Sequence, residues 1–162
     1  MPGMLPEFRL FTPEDADWLV ERHGVPYARD EGFDDSFPVL LREIVAGFLA
    51  GHDAERERGW ILWQGGGRIG SVFVVSETAE TAKLRLVLLE PEWRGKGLAQ
   101  AMLDRALGFA RAAGYRWMRL WTHESHRAAG RLYAGNGFRL ESAQACRSFG
   151  QQVVSQIRAR EL

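Results

Sequence analysis

The sequence contains little of what would direct a chain to a particular partner or compartment. It has one cysteine among 162 residues, Cys146, so no disulfide can form within the chain. It balances 21 basic against 21 acidic residues, which leaves no net field to attract nucleic acid or an anionic membrane. No apolar run approaches the roughly 20 residues of a membrane span, and no secretion signal opens the chain. These absences predict a cytoplasmic protein without nucleic-acid or membrane partners.

The apolar periodicity indicates one α/β domain covering residues 1–162. Runs rich in β-branched and aromatic residues predict strands, and Gly65-Gly66-Gly67 between two of them indicates a hairpin. Apolar residues that repeat every three to four positions predict helices. The predicted strands cover about residues 8–12, 59–64, 68–76, 82–89, 117–122, 138–143 and 153–160, and the predicted helices about 13–23, 37–49, 98–110 and 126–135. Because a helix separates the third long strand from the next, a crossover joins them and the sheet is mixed.

The stretch from Leu84 to Gly114 carries the clearest chemical signal. An apolar strand ends before Pro91, a glycine-containing turn follows, and a helix begins near Leu98. The N–H groups at a helix start have no internal partners and lie at the positive end of the macrodipole, so such a turn predicts a bound phosphate ester. Two known phosphate loops do not fit. No Walker string occurs, and Gln100 stands where a dinucleotide fingerprint needs a third glycine or alanine.

The remaining pattern, Arg94-x-x-Gly97-x-Ala99, resembles the pyrophosphate-binding motif of the GNAT superfamily of N-acetyltransferases. Ala129, Leu132-Tyr133 and Gly137-Phe138 stand at spacings typical of the same family, whereas its usual Asn is His126 here. The whole chain also resembles the acetyltransferase half of proteins that fuse a MarR-type regulator to a GNAT domain. The resemblance implies a mixed, mostly antiparallel sheet of six to seven strands with helices on both faces.

The resemblance further implies transfer of an acetyl group from acetyl-CoA to a primary amine of a small molecule, without a metal. Tyr133 corresponds to the family's general acid, which protonates the leaving thiolate. The implied coenzyme-binding residues are Val87, Leu88, Leu89, Arg94, Gly95, Lys96, Gly97, Leu98, Ala99 and His126. An exposed edge of the last strand would allow a homodimer. The alternative function is a non-catalytic acyl-CoA sensor, and a dinucleotide oxidoreductase is a third interpretation that Gln100 disfavours.

The general base that deprotonates the acceptor amine is left open by the sequence. Relatives often place a carboxylate on the fifth or the fourth strand, but these positions hold Trp121, Lys83 and Arg85. The remaining candidates are Glu124, His123, Glu43, Asp34 and a water relay. Arg85 either binds an acidic group of the substrate or pairs with a surface acid.

Two further expectations concern acidic and aromatic residues. The predicted loop Tyr27–Asp35 contains four acids that either face a cationic substrate or are only solvated. The tryptophans on predicted strands are expected in the core, because large aromatic rings dominate interior packing. They are Trp60, Trp63, Trp117 and Trp121.

Overall fold

The structure, a computed structural model, describes residues 6–26 and 32–162. Within these ranges the strands are β1 (Glu7–Leu10), β2 (Arg58–Gln64), β3 (Gly67–Ser76), β4 (Thr81–Leu89), β5 (Trp117–His123), β6 (Arg139–Ser148) and β7 (Gln151–Glu161). The helices are α1 (Ala16–Pro26), α2 (Ser36–Gly51), α3 (Leu98–Ala112) and α4 (Arg127–Gly135). Most of the predicted loop Tyr27–Asp35, including Asp30 and Glu31, lies outside the described residues.

The described strands form one sheet in the order β1-β2-β3-β4-β5-β7-β6. Among them only β4 and β5 run parallel, because α3 returns the chain across one face of the sheet between them. The other neighbouring pairs are antiparallel. Gly65 and Gly66, both with positive φ, form the predicted hairpin turn between β2 and β3. The expected mixed, mostly antiparallel sheet is therefore confirmed.

Helices cover both faces of this sheet, as the resemblance implied. On one face α3 and α4 bury Met102, Leu103, Ala106 and Tyr133 against strand residues such as Leu84. On the other face α1 and α2 form a second, smaller core. Its buried members are Leu19, Val20, Leu41, Val45 and Phe73. The sheet thus separates an α3/α4 face from an α1/α2 face.

Two element boundaries differ from the predictions. The first helix does not end at His23 but continues to Pro26, because α1 packs against α2 and this tertiary contact outweighs the low helix propensity of Gly24. The last two strands continue past polar residues until only Phe149 and Gly150 remain between them. Both turn residues have positive φ, which is typical of a two-residue hairpin loop.

The position of the last strand corrects the expected dimer edge. β7 is paired on one side with β5 and on the other with β6, so the open edge belongs to β6. Strand order cannot be read from chain order here, because the final hairpin inserts its second strand against β5. A homodimer through the edge of β7 is therefore excluded, and an association through β6 stays a proposal.

The expected core position of the strand tryptophans is confirmed for Trp60 and wrong for Trp117 and Trp121. Trp60 is buried at 4% exposure, but Trp117 and Trp121 are each 45% exposed. Along β5 the buried residues Met118 and Leu120 point to the α3/α4 face, so the alternating tryptophans point to the opposite face. There the Nζ atom of Lys83 lies 4.2 Å from the centre of the Trp121 ring.

Candidate active site

β4 and β5 are paired over only part of their length. The parallel ladder ends at Leu84 opposite Leu120. Beyond this point β4 continues to Leu89 beside β3, while β5 continues to His123 beside β7. On the side that faces β5, the backbone N–H and C=O groups of β4 after Leu84 have no strand partner among the described residues. They form an open edge that an extended ligand could pair with.

A bulge in β4 accompanies this separation. The register with β3 shifts between Ser71 and Phe73, so that Leu86 and Val87 together face one residue of β3. Leu86 has φ 54°, a left-handed conformation that is uncommon outside glycine. The buried hydroxyl of Ser71 donates a hydrogen bond of 2.7 Å to the Leu86 carbonyl. Since bulges bend strands, this one accounts for the divergence of β4 from β5.

Two neighbouring side chains of α1 lie beside the bulged end of β4. Arg22 donates two hydrogen bonds, at 2.6 and 2.7 Å, to the carboxylate of Glu90. The next residue, His23, is buried, with Nδ1 2.9 Å from the Leu19 carbonyl. Burial lowers the pKa of His23 to about 4, although the carbonyls of Leu19 and Leu86 oppose this shift. The ring beside the bulge is therefore neutral at pH 7.

The turn after β4 leaves the start of α3 open. Gly95 and Gly97 have φ of 75° and 81°, which L side chains rarely adopt. A Cβ atom at either glycine would meet no atom within 4 Å, so backbone conformation and not crowding requires glycine. Gly97 is the N-cap of α3, and no side chain caps the helix there. With Arg94 and Lys96 exposed alongside, the N-terminus of α3 is suited to an anion.

Tyr133 differs from the other buried tyrosine of the described chain in one respect. The hydroxyl of Tyr115 donates to the Arg56 carbonyl at 2.8 Å. That of Tyr133, in a residue 6% exposed, has no hydrogen-bond partner among the described residues. Its ring packs edge-on against Phe138, and burial raises the pKa of Tyr133 to about 12. The phenol is therefore protonated at neutral pH and available to a ligand.

Side-chain amides join the two helices of the α3/α4 face. The Gln100 Nε2 atom donates to Asn136 Oδ1 at 2.8 Å, and Asn136 Nδ2 donates to Gln100 Oε1 at 2.9 Å. Arg160 of β7 donates to the Asn136 carbonyl at 2.6 Å. Gln100, the residue that interrupts the dinucleotide fingerprint, thus links the first turn of α3 to the end of α4. This link fixes the helix of Tyr133 relative to the glycine turn.

His126 lies where β5 passes into α4. It occupies the N-cap position of α4, but its side chain makes no capping hydrogen bond. Its ring centre lies 5.4 Å from that of His123, the last residue of β5. His126 therefore stands at the end of the strand that borders the open edge of β4.

A pocket of about 290 Å³ lies on the α1/α2 face, between α2 and the strands β3 and β4. We call it the α2 pocket; the lining residues used below are Glu43, Gly47, His52, Glu57, Arg85 and Leu86. Leu86 is the bulge residue and lies within the open edge of β4. The α2 pocket and the cleft between β4 and β5 therefore meet at the bulge.

The polar side chains of the α2 pocket differ in their existing contacts. Both carboxylate oxygens of Glu57 accept backbone N–H groups at 3.0 Å. Nδ1 of His52 hydrogen-bonds at 2.8 Å to the carbonyl one turn earlier in α2. Glu43 and Arg85 have no hydrogen bond or ion pair with any described residue. Two groups of opposite charge are thus available to a ligand.

The structure separates the four candidate bases. Glu43 lines the α2 pocket, whereas Glu124 lines a second pocket of about 290 Å³ beside β7. The Asp34 carboxylate accepts hydrogen bonds from the backbone N–H and the hydroxyl of Ser36. The ring of His123 packs against Phe33, with centres 5.7 Å apart. Of the four, Glu43 is the one that shares a pocket with the bulge.

The family model for the acetyltransferase (GNAT) domain matches residues 55–140, just over half of the chain. The chain belongs to the GNAT acetyltransferase family. The matched segment includes the open edge of β4, the glycine turn and Tyr133. It excludes α2, which supplies the largest part of the α2 pocket.

Two curated relatives are similar over part of this GNAT chain. The mycothiol acetyltransferase of Thermobifida fusca is 32% identical over 136 residues, which cover 83% of this chain and 36% of that protein. An uncharacterised N-acetyltransferase of Methanocaldococcus jannaschii is 29% identical over 62 residues, 38% of this chain and 27% of that protein. The chain therefore spans about a third or less of the length of these relatives.

The fold is also found in solved structures. A protein of Salmonella typhimurium described as an acetyltransferase, and solved with its cofactor acetyl-CoA, matches with a TM-score of 0.78 at 17% identity. The match covers 96% of this chain and 93% of that one. At this identity the likeness establishes the GNAT fold alone.

Residues 6–26 and 32–162 contain neither a membrane-spanning helix nor a metal site. None of the helices there has both the length and the apolar character needed to cross a bilayer. No group of three or more His, Cys, Asp or Glu side chains is placed to bind a metal ion.

Sequence reasoning missed several residues of the candidate site. Ser71 supports the bulge, His23 lies beside it, and His52 and Glu57 line the α2 pocket. A buried histidine in a helix and a serine in an apolar strand are weak signals. Glu57 also gives a weak signal in the sequence, because its charged neighbours are typical of an ordinary solvated turn. The residues meet only after the sheet has formed.

Proposed function

We propose that this protein transfers an acetyl group from acetyl-CoA to a primary amine of a small molecule. The observation that carries the proposal is the continuous path from the open edge of β4, through the glycine turn, to the uncapped N-terminus of α3. Membership of the GNAT family and the acetyl-CoA in the Salmonella structure support the choice of donor.

Acetyl-CoA has parts that match this path one by one. The pantetheine arm carries amides, which can pair like an added strand with the backbone of Val87, Leu88 and Leu89. The pyrophosphate would accept hydrogen bonds from the N–H groups of Gly95 to Ala99, including Lys96, Gly97 and Leu98, with Arg94 and Lys96 adding positive charge. His126 would contact the pantetheine at the end of β5. The residues present are thus suited to the pantetheine and the pyrophosphate of the coenzyme.

The chemistry requires a nucleophilic amine, a stabilised oxyanion and a protonated leaving group. A primary ammonium has a pKa of about 10 and must lose a proton before its nitrogen attacks the thioester carbon. We propose that the carboxylate of Glu43 accepts this proton, directly or through water. It lines the α2 pocket and has no other described partner. A backbone N–H of the open edge would stabilise the oxyanion, which is typically worth about 3 kcal/mol.

Tyr133 completes the reaction. When the C–S bond breaks, the electron pair goes to sulfur, and the phenol donates its proton to the thiolate. The hydroxyl of Tyr133 supports this role, because it has no partner among the described residues and is not fully enclosed, so that a ligand can reach it. The raised pKa of Tyr133 keeps the acid protonated before the transfer.

Release of CoA thiol tests the proposal. The protein is incubated with acetyl-CoA and a panel of amines, amino acids and aminoglycosides, and free thiol is measured against a reaction without amine. Amine-dependent thiol release and a product 42 Da heavier than the amine are expected. Tight coenzyme binding without thiol release from any amine would contradict the proposal and favour the acyl-CoA sensor.

Three finer expectations stay predictions. They are the cytoplasmic location, a homodimer, and the resemblance to the acetyltransferase half of MarR-type fusion proteins. A sedimentation measurement of the purified chain would decide the second.

A further inference from the structure

Arg85 is a cation without an acidic partner of its own. It is half-buried and lines the α2 pocket, yet no carboxylate of the described chain lies within ion-pair distance. Arg119 of β5 provides a contrast, because its guanidinium pairs with Glu77 at 3.4 Å and with Glu141 at 3.0 Å. Burial lowers the pKa of Arg85, but a guanidinium stays charged in proteins. Because partial burial removes some of the water around this charge, an anion from outside the chain would stabilise it.

The opposite wall of the pocket is formed by one face of α2. Glu43 is followed at intervals of four residues by Gly47 and Gly51, and all three line the pocket. A Cβ atom at either glycine would meet nothing within 4 Å. At Gly59, by contrast, it would meet the Phe73 ring at 2.2 Å, so that glycine is required by packing. The glycines of α2 therefore leave open space that the protein itself does not fill.

The space of about 290 Å³ is enough for a small amine. Because Glu43, Gly47 and Gly51 are exposed, the pocket opens to solvent, and its volume sets no upper limit on the ligand. The pocket offers one available negative and one available positive group to such a compound.

We propose that the acceptor is a small zwitterionic amine, whose acidic group binds Arg85 and whose amino group lies toward Glu43. This inference rests on the proposed function, since it names the substrate class of the same site. Arg85 would form charge-assisted hydrogen bonds with a carboxylate or a phosphonate. The bulge at Leu86 then brings the amino group to the point where the pocket meets the coenzyme cleft.

The test compares amino acids with their C-terminal amides, which keep the amine and the side chain but lack the charge. Thiol release is measured for each pair, and kcat/KM of the acid should exceed that of the amide by about 10-fold or more. In Arg85→Met, which keeps the length of the side chain, kcat/KM of the acid should fall to that of the amide. The kcat/KM of the amide should fall much less than that of the acid, and the coenzyme Kd should not change.

Arg105→Met is the matched control, because Arg105 lies on α3 over the Phe8 ring and outside the pocket. It removes the same charge and should leave the preference for acids intact. Equal rates for acids and amides, or an equal loss of both in Arg85→Met, would overturn the proposal while the acetyltransferase function stands.

A binding measurement keeps the inference independent of turnover. If no amine releases thiol, the acid and amide pairs are titrated into the CoA-saturated protein by calorimetry. Binding of the acid alone, lost in Arg85→Met, supports a zwitterion site even though the proposed function has failed. Equal binding of both members, or binding of neither, overturns the inference.

Discussion

The two candidate ligand-binding regions of the molecule use different parts of the chain. On the coenzyme side the groups offered are backbone N–H and C=O groups, at the open edge of β4 and at the N-terminus of α3. On the side of the α2 pocket they are side chains, chiefly Glu43 and Arg85. A backbone site is disturbed mainly by changes at its glycines, whereas a side-chain site changes with any single substitution. One fold can therefore retain its coenzyme while its acceptor varies.

The largest effect is expected from Gly97→Glu on the coenzyme side. The substitution places a negative side chain in a left-handed position where the pyrophosphate should lie, and we expect the coenzyme Kd to rise by about 10³-fold or more. Gly114→Glu is the control, since Gly114 also has positive φ and open surroundings but follows the other end of α3. Unchanged calorimetric affinity in Gly97→Glu would disprove the phosphate turn.

Tyr133→Phe tests whether the coenzyme side also supplies a reactive side chain. It removes only the hydroxyl, so kcat should fall by about 10²-fold with little change in coenzyme affinity. Tyr115→Phe, which deletes the other buried tyrosine hydroxyl, should lower stability by about 1 kcal/mol and leave kcat unchanged. If Tyr133→Phe keeps full turnover, the residue only packs against Phe138 and water protonates the thiolate.

A pair of variants at Gly47 tests the side-chain region. Gly47→Ala should raise the free energy of unfolding by about 1 kcal/mol, because alanine is the better helix former and its Cβ meets no other atom. Gly47→Leu would fill part of the α2 pocket and should raise KM for the amine by about 10-fold or more. The coenzyme Kd should stay constant in both. A normal KM in Gly47→Leu would place the acceptor elsewhere.

The smallest effect is expected from His126→Ala. The imidazole can offer one donor and one acceptor to the pantetheine, so its removal should weaken coenzyme binding by about 1 kcal/mol, or roughly fivefold. Coenzyme titration of the variant measures this difference. An unaltered Kd would show that His126 only begins α4.

The sequence predicts those parts of this molecule that depend on local pattern. The hairpin at Gly65-Gly66, the crossover helix and the glycine turn each follow from neighbouring residues. The prediction that the strand tryptophans lie in the core was partly wrong. Alternation along β5 shows which residues share a face of the sheet, but not which face is covered by helices. The α2 pocket could not be predicted, since Glu43, Glu57 and Arg85 come from separate elements that meet only in the folded sheet.

The neutral His23 beside the bulge lowers the stability of the folded protein in acid. The folded pKa of about 4 lies below the ordinary value of 6.5, so the unfolded chain takes up this proton first. The neutral His23 makes its full contribution to the free energy of unfolding above pH 6.5. This contribution, about 3 kcal/mol in all, is lost as the pH falls toward 4. Denaturant titrations across this range, with His23→Gln as the reference, should show the wild-type protein losing stability more steeply. The buried ring beside the bulge thus makes the whole fold less stable in acid.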